Sequence, residues 1–275
     1  MGARQPGALN HLVCATCGVQ FAASAAPPAS CPVCEDERQY VPESGQRWTT
    51  LEALRPDHAN RIEAEGELAG IGTEPRFAIG QRALLVPWGE RQLLWDCVTL
   101  LDDDTVAEVE RRGGLAAIAI SHPHYYSAMV EWGRRFGCPV YLHADDAEWI
   151  MRPDPVVELW DGERSELGDG LTLIRCGGHF DGGTVLHWAG GAGGRGALLS
   201  GDIVQVIPDR RHVGFMYSYP NLIPLPAAKV EAVRAALNPF AFETIYGAWW
   251  GTVIEDGKGA VERSAARYVR AVSSG

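Results

Sequence analysis

The chain has 275 residues, 46% of them hydrophobic and 21% charged, which fits one large domain or a domain with a small appendage and excludes global disorder. Its formal net charge of −11 excludes the overall basic footprint that nucleic acid or an anionic membrane selects. The apolar runs are short and interrupted, so no membrane-spanning helix is expected. Residues 1–30 carry one early Arg4 and two cysteines where the apolar segment of an export signal would stand, and a cytoplasmic location is expected.

In chain order, the first organised feature is Cys14-Ala-Thr-Cys17 followed, after 13 residues, by Cys31-Pro-Val-Cys34. Each CxxC puts two sulfurs on one tight turn, and two such turns present four thiolates tetrahedrally to one Zn²⁺. Four of the seven cysteines fall in these pairs, a usage that suits metal binding in a reducing cytosol better than a disulfide framework. The unit resembles a zinc ribbon of the rubredoxin-like kind and is expected over 1–45. Two roles are open to it, nucleic-acid binding or a metal-stapled cap. Residues 1–50 hold Arg4, Arg38 and Arg47 against Glu35, Asp36, Glu37 and Glu43, the wrong sign for phosphate, which favours the cap. Phe21–Ser30 reads as the loop between the knuckles and Tyr40–Trp48 as a connector.

From residue 58 to 275 strands and helices alternate. Ala83–Pro87 and Gln92–Asp96 read as buried strands across a Gly89-Glu90 turn. A helix is expected over Asp102–Arg112, acidic at its start and basic at its end. Leu115–Ile120 is a short apolar strand, Ser127–Phe136 a helix ended by Gly137, and Val140–His143 and Leu171–Arg175 are strands. Thr184–Trp188 and Ala197–Leu199 pair across the glycines of 190–196. Ala227–Leu237 is helical, Phe242–Tyr246 a strand, and Asp256–Val272 a closing helix. Sheets with helices packed outside are expected from this order.

Several of these strands end on a metal-capable side chain. His122-Pro123-His124 follows Leu115–Ile120, and on extended chain both imidazoles face the same side. Cys176-Gly177-Gly178-His179 follows Leu171–Arg175, Ser200-Gly201-Asp202 follows Ala197–Leu199, and Asp96 ends its strand. Loops at strand ends are where a scaffold positions chemistry.

In this order and spacing, Asp96, His122-x-His124, His179 in GGHFDGGT and Asp202 in LLSGDI resemble the metallo-β-lactamase superfamily over roughly residues 60–275. The resemblance implies an α+β fold, an αββα sandwich with the metal site where the two sheets meet, here with the small zinc ribbon in front. It also implies His122, His124, His179 and Asp202 as ligands of the first metal site. The family pattern HxHxDH is broken, because Tyr126 and Ser127 replace the aspartate and histidine of the second site. The region of the last histidine reads Tyr246-Gly247-Ala248-Trp249-Trp250-Gly251. A single-metal site is therefore expected. Three imidazoles and a carboxylate suit Zn²⁺, and Fe²⁺ also fits the set. A water in an open position would have its pKa lowered to about 7, with Asp202 as its base. Tyr126 or Tyr125 is expected to donate to a developing oxyanion.

The other candidates carry plainer expectations. Asp96 orders the metal loop rather than touching the ion. His143 is a helix-entry residue, His187 is structural and His212 sits in a solvated loop. Asp181 has either a supporting or a turn role. Phe215–Asn221, with Trp249 and Trp250, forms pocket walls, and Cys97, Cys138 and Cys176 are buried small hydrophobes. The expected activity is hydrolysis of a small-molecule ester, thioester, amide or phosphoester, with no nucleic-acid or membrane partner. A mononuclear-iron oxygenase and a non-catalytic metal-binding scaffold are the alternatives.

Overall fold

The computed structural model describes residues 9–273. Arg4 and the outer ends of the expected ranges 1–45 and 58–275 lie outside the described residues. Seven strands form the first sheet in chain order: β1 (Ala59–Glu65), β2 (Leu68–Glu74), β3 (Ala83–Trp88), β4 (Arg91–Trp95), β5 (Leu115–Ala119), β6 (Val140–His143) and β7 (Val157–Trp160). The neighbours are antiparallel from β1 to β4 and parallel from β4 to β7. The second sheet runs β8 (Arg164–Gly168), β9 (Leu171–Arg175), β10 (Thr184–Trp188), β11 (Ala197–Gly201), β12 (Thr244–Gly247) and β13 (Val253–Ile254). There only β11 and β12 pair in parallel.

Both faces of the central strands are apolar because both are covered. Leu84 and Val86 of β3, Leu93 and Trp95 of β4 and Ala119 of β5 pack between the sheets. They meet Leu171, Leu173, Leu186, Ala197, Leu199 and Tyr246 of the second sheet. The alternate residues Leu85, Leu94 and Ile118 face outward into a cluster with Val106 and Val109 of α1 (Asp103–Arg111) and Met129, Val130 and Trp132 of α2 (Met129–Phe136). On the other side Ile174, Val185, Leu198 and Ile245 meet α3 (Ala227–Leu237) and α4 (Gly257–Ser273). The period-2 alternation thus builds three buried layers and the expected αββα order.

The helices begin and end where local chemistry directs. The Asp102 carboxylate accepts from Thr105 N–H at 2.8 Å and caps α1, and Gly137 at φ 61° closes α2 in the left-handed conformation. Five strands of the two sheets were not among the expected elements: β1, β2, β7, β8 and β13. In the N-terminal region Val13–Cys14 pairs antiparallel with Trp48–Thr49, so the segment read as a connector returns to the ribbon at its end.

Candidate metal centres

The four cysteines are buried thiols clustered within one small volume. Cys14 Sγ lies 3.6 Å from Cys34 Sγ, and Cys17 Sγ lies 3.7 Å from Cys31 Sγ. Those gaps are far beyond a disulfide bond. They are close to the edge of a tetrahedron with metal–sulfur bonds of about 2.3 Å, which is about 3.8 Å. The hydrogen bonds of the other three cysteines, Cys17 first, hold the Cys14 thiol far below its ordinary value, and Gln46 Nε2 donates to the same sulfur at 2.9 Å. The cluster fits a small zinc ribbon.

The second cluster is assembled from both sheets. β9 and β11 are each antiparallel to β10, so they run the same way and their C-terminal ends share one end of the sheet. The parallel pair β4 and β5 does the same in the first sheet. His122 follows β5, His179 follows β9 and Asp202 follows β11. Gly177 and Gly178 have φ of 63° and 86°, a double left-handed turn that aims His179 back toward the other histidines and that side chains with a Cβ resist. His122 is extended, as the His-x-His spacing predicts, but His124 lies in a 3₁₀ turn over Pro123–Tyr125 rather than on extended chain. The two rings still converge, with centroids 5.1 Å apart.

The ligand atoms of His122, His124 and His179 lie within 4.8 Å of one another. His124 Nδ1 is 3.2 Å from His179 Nε2, and His122 Nε2 is 3.1 Å from Asp202 Oδ1. A tetrahedral ion with metal–nitrogen bonds of 2.0–2.1 Å needs edges of about 3.3 Å. His122 Nε2 and Asp202 Oδ1 are buried with no hydrogen-bond partner among the described residues. Burial pushes His122 and His124 well below the usual imidazole range and His179 down to about 4. The His122–Asp202 contact is therefore one between a neutral imidazole and a carboxyl rather than a salt bridge. Burial, with the nearby Asp96 charge, raises Asp202 to about 7. A cation among these atoms favours neutral imidazoles and an ionised carboxylate alike, so the donor set fits a metal ion.

The outer atoms fix the ring orientations. His179 Nδ1 donates to the Tyr217 carbonyl at 2.7 Å, leaving Nε2 for the cluster. His122 Nδ1 lies 3.0 Å from Ser121 Oγ, and Ser121 N–H donates to Asp96 Oδ1 at 2.8 Å. Asp96, raised to about 7 by burial, thus orders the loop through Ser121 and stands behind the ligands, as expected.

The structure separates the two tyrosines. Tyr126, expected at the ion, turns away: its hydroxyl donates to the Asp146 carbonyl at 3.4 Å, and it lines a different, tight cavity with Val19, Gln20 and Met151. Tyr125 lines the cleft, its ring centroid 4.5 Å from that of His122. Its buried hydroxyl has no fully formed hydrogen bond and faces the Asp202 carboxyl, whose pKa it lowers. Ser127 is committed elsewhere, its hydroxyl donating to the Cys97 carbonyl at 3.2 Å.

The remaining candidates sort cleanly. His143 Nδ1 accepts from Asp145 N–H and its Nε2 bonds the Gly162 carbonyl. His187 bonds the Ala241 carbonyl, His212 pairs with Asp209, and Asp181 pairs with Lys229 away from the ligands. Tyr219 walls the cleft and donates to the Asp202 carbonyl at 2.7 Å. Trp249 lines the cleft while Trp250 lies under Arg61. Cys97, Cys138 and Cys176 are buried free thiols. Sequence reasoning missed Arg38 and Asp146, both set around the His179 loop. Asp146 Oδ1 accepts from Gly182 N–H at 2.8 Å. No local pattern marks either residue.

No protein-family model matches the chain. It is 50% identical over 269 residues to the uncharacterized protein YmaE of Bacillus subtilis (strain 168), covering 97% of this chain and 98% of that protein. In structure it is similar to the DIM-1 metallo-β-lactamase, with a TM-score of 0.59, 14% sequence identity and coverage of 78% of this chain and 98% of that one. It is also similar to the FIM-1 metallo-β-lactamase from Pseudomonas aeruginosa in its mono-zinc form, with a TM-score of 0.58, 15% identity and coverage of 78% and 96%.

Proposed function

Because this chain belongs to the family of YmaE and has the metallo-β-lactamase fold with an N-terminal four-cysteine ribbon, we propose that it is a metal-dependent hydrolase with a single ion among His122, His124, His179 and Asp202. The observation that carries this reading is the approach of buried ligand atoms from three loops, His122 Nε2 to Asp202 Oδ1 at 3.1 Å and His124 Nδ1 to His179 Nε2 at 3.2 Å, the first two of which lack a hydrogen-bond partner among the described residues. The replacement of second-site ligands supports one ion rather than two. Tyr126 points away, Ser127 is spent on the Cys97 carbonyl, and the late loop offers Trp249. The mono-zinc form of FIM-1 is a precedent for one ion in this fold. Zn²⁺ suits both centres by donor type.

When bound, such an ion supplies a Lewis acid and lowers the pKa of a coordinated water. Asp202, one of the ligand set, is the carboxylate placed to accept a proton there. The Tyr125 hydroxyl, which faces Asp202 with no fully formed hydrogen bond among the described residues, is placed to donate to an oxygen that turns negative. Tyr219, Pro220 and Trp249 wall a cavity of about 150 Å³, which admits one small substrate or one end of a larger one. The bond cleaved is an ester, thioester, amide or phosphoester of a small molecule.

Metal content per chain tests this first. Two ions are expected in the wild type and one in His122→Ala, with the cysteine ion retained. A wild-type value of one, accounted for by the cysteines, overturns the assignment. Turnover on a panel of chromogenic esters and phosphodiesters, lost in His122→Ala, is the expected activity. Iron with oxygen consumption in place of hydrolysis would overturn the hydrolase.

A further inference from the structure

The cleft over the histidine cluster is not built by the sandwich alone. Thr16, between the first two cysteines, and Arg38, Gln39 and Tyr40, just past the last one, line it together with His124 and His179. Only three residues separate Cys34 from Arg38, so the chain leaves the four-cysteine centre directly over the second cluster.

This segment is fastened at several points. Asn221 Nδ2 donates to the Glu37 carbonyl at 2.7 Å and to the Gln39 carbonyl at 3.1 Å. Arg38 is held in a fork by Asp36, with Nε to Oδ1 at 2.6 Å and Nη2 to Oδ2 at 2.9 Å. Its remaining nitrogen, Nη1, donates to the His179 carbonyl at 3.4 Å. The guanidinium plane lies over the Phe180 ring, 3.8 Å from its centroid, and 5.5 Å from that of Tyr217. Tyr217 is the residue whose carbonyl receives His179 Nδ1–H. Arg38 therefore touches His179 and both of its chain or hydrogen-bond neighbours, while its own orientation is set from the ribbon.

We propose that the segment Asp36–Tyr40 is a fixed wall of the histidine site and that Arg38 is the positioning residue that holds His179 in ligating geometry. This rests on the proposed ion among the histidines, which it deepens. A planar, forked cation is required, since one edge is anchored by Asp36, one nitrogen serves the His179 carbonyl and the face stacks on Phe180. A lysine ammonium offers neither the fork nor the face. Outer residues that orient a metal ligand are worth about 10–100-fold in metal affinity.

The test is a metal titration of the full chain, with chelator competition for zinc at the histidine site and cobalt substitution to watch the two centres separately. The thiolate-to-cobalt charge-transfer absorption reports the cysteine centre and serves as the folding control. Arg38→Met is expected to weaken the histidine-site ion about 10-fold or more and to change its cobalt ligand-field spectrum, with the thiolate absorption unchanged. Arg38→Lys is expected not to restore the affinity. Asp36→Asn, which loosens the fork without touching Arg38, is expected to give a smaller loss in the same direction and decides the matter if Arg38→Met fails to fold. A wild-type chain that binds no ion at the histidines overturns both this inference and the proposed function. A wild-type chain that binds it, with Arg38→Met and Asp36→Asn matching its affinity and spectrum, overturns this inference alone.

Discussion

Tyr125 and Tyr126 are adjacent in the chain, but their hydroxyls face different surroundings. The 3₁₀ turn over Pro123–Tyr125 rotates successive side chains by about 120°, so one ring enters the cleft and the next enters the packing beneath it. Sequence alignment with HxHxDH places Tyr126 at the lost aspartate, and nothing in the six residues reveals that the chain turns there. If the proposed hydrolysis holds, Tyr125→Phe is expected to lower kcat on whichever substrate is turned over by about 10- to 100-fold, the scale of a lost oxyanion donor, with KM little changed. Tyr126→Phe loses one long hydrogen bond to a carbonyl, is expected to leave kcat within about twofold, and costs about 1 kcal/mol of stability at most. Steady-state kinetics of the two variants side by side decide the assignment. Equal losses, or a loss at Tyr126 alone, would remove Tyr125 from the chemistry. The convergence of the candidate ligands was legible because histidines and an acid recur at the ends of apolar strands in a fixed order. Arg38 was not, because an arginine beside Glu35, Asp36 and Glu37 reads as an ordinary solvated charge until the fold stacks it on Phe180.

At the scale of elements, the late loop with Trp249 and Trp250, where the sequence resemblance would place a histidine, is held by packing. Trp250 lies across β2, where a Cβ at Gly70 would come 2.6 Å from the indole ring and one at Gly72 2.8 Å from it. Arg61 covers the ring from the other side, 4.4 Å from its centroid. Behind the loop the buried Arg82 bonds Glu65 at 2.7 Å and the Gly247 carbonyl at 2.8 Å, and Glu65 in turn accepts from Gly251 N–H. Gly70→Ala must displace the indole or the strand. The expected cost is about 1–3 kcal/mol, the range for overpacking, which outweighs the chain-entropy gain of about 0.4–1 kcal/mol from replacing glycine. A melting temperature lowered by several degrees, largely recovered in Gly70→Ala/Trp250→Leu, would show the coupling, and an unchanged melting temperature would refute it. This cradle also explains why the sequence hid β1 and β2. β3, β4, β5, β9 and β11 are runs of apolar residues buried on both faces, a pattern that local reading detects. β1 has mostly exposed or half-exposed positions, and β2 carries two glycines that serve Trp250 some 180 residues away. Their strand character comes from long-range pairing and from a partner that no short window contains.

At the scale of the whole molecule, the ribbon and the sandwich share one interior. Val13, Val19, Phe21 and Val33 lie in the same buried cluster as Leu94, Ile118 and Trp132. Thr99 Oγ1 donates to the Gly18 carbonyl at 3.0 Å, Gln20 N–H to the Ser127 carbonyl at 3.0 Å, and Ala22 N–H to the Met151 carbonyl at 3.0 Å. Arg152, almost fully buried, reaches both Gln20 and Glu131. Deleting residues 1–45 would uncover the apolar face of α2 and strand these polar groups without partners. The shorter chain is therefore expected to expose apolar surface, read as dye binding and loss of a sharp melting transition. In the full chain, metal bound only by the folded ribbon stabilises the molecule by mass action. With one shared interior that stabilisation reaches the whole, so stripping the cysteine ion is expected to lower the temperature of a single transition rather than release a separate early one. Two resolved transitions in calorimetry, with the later one insensitive to the cysteine ion, would mean that the sandwich stands without its ribbon. The wall that Asp36–Tyr40 forms over the histidines would then have to be held by Asn221 and Arg38 alone.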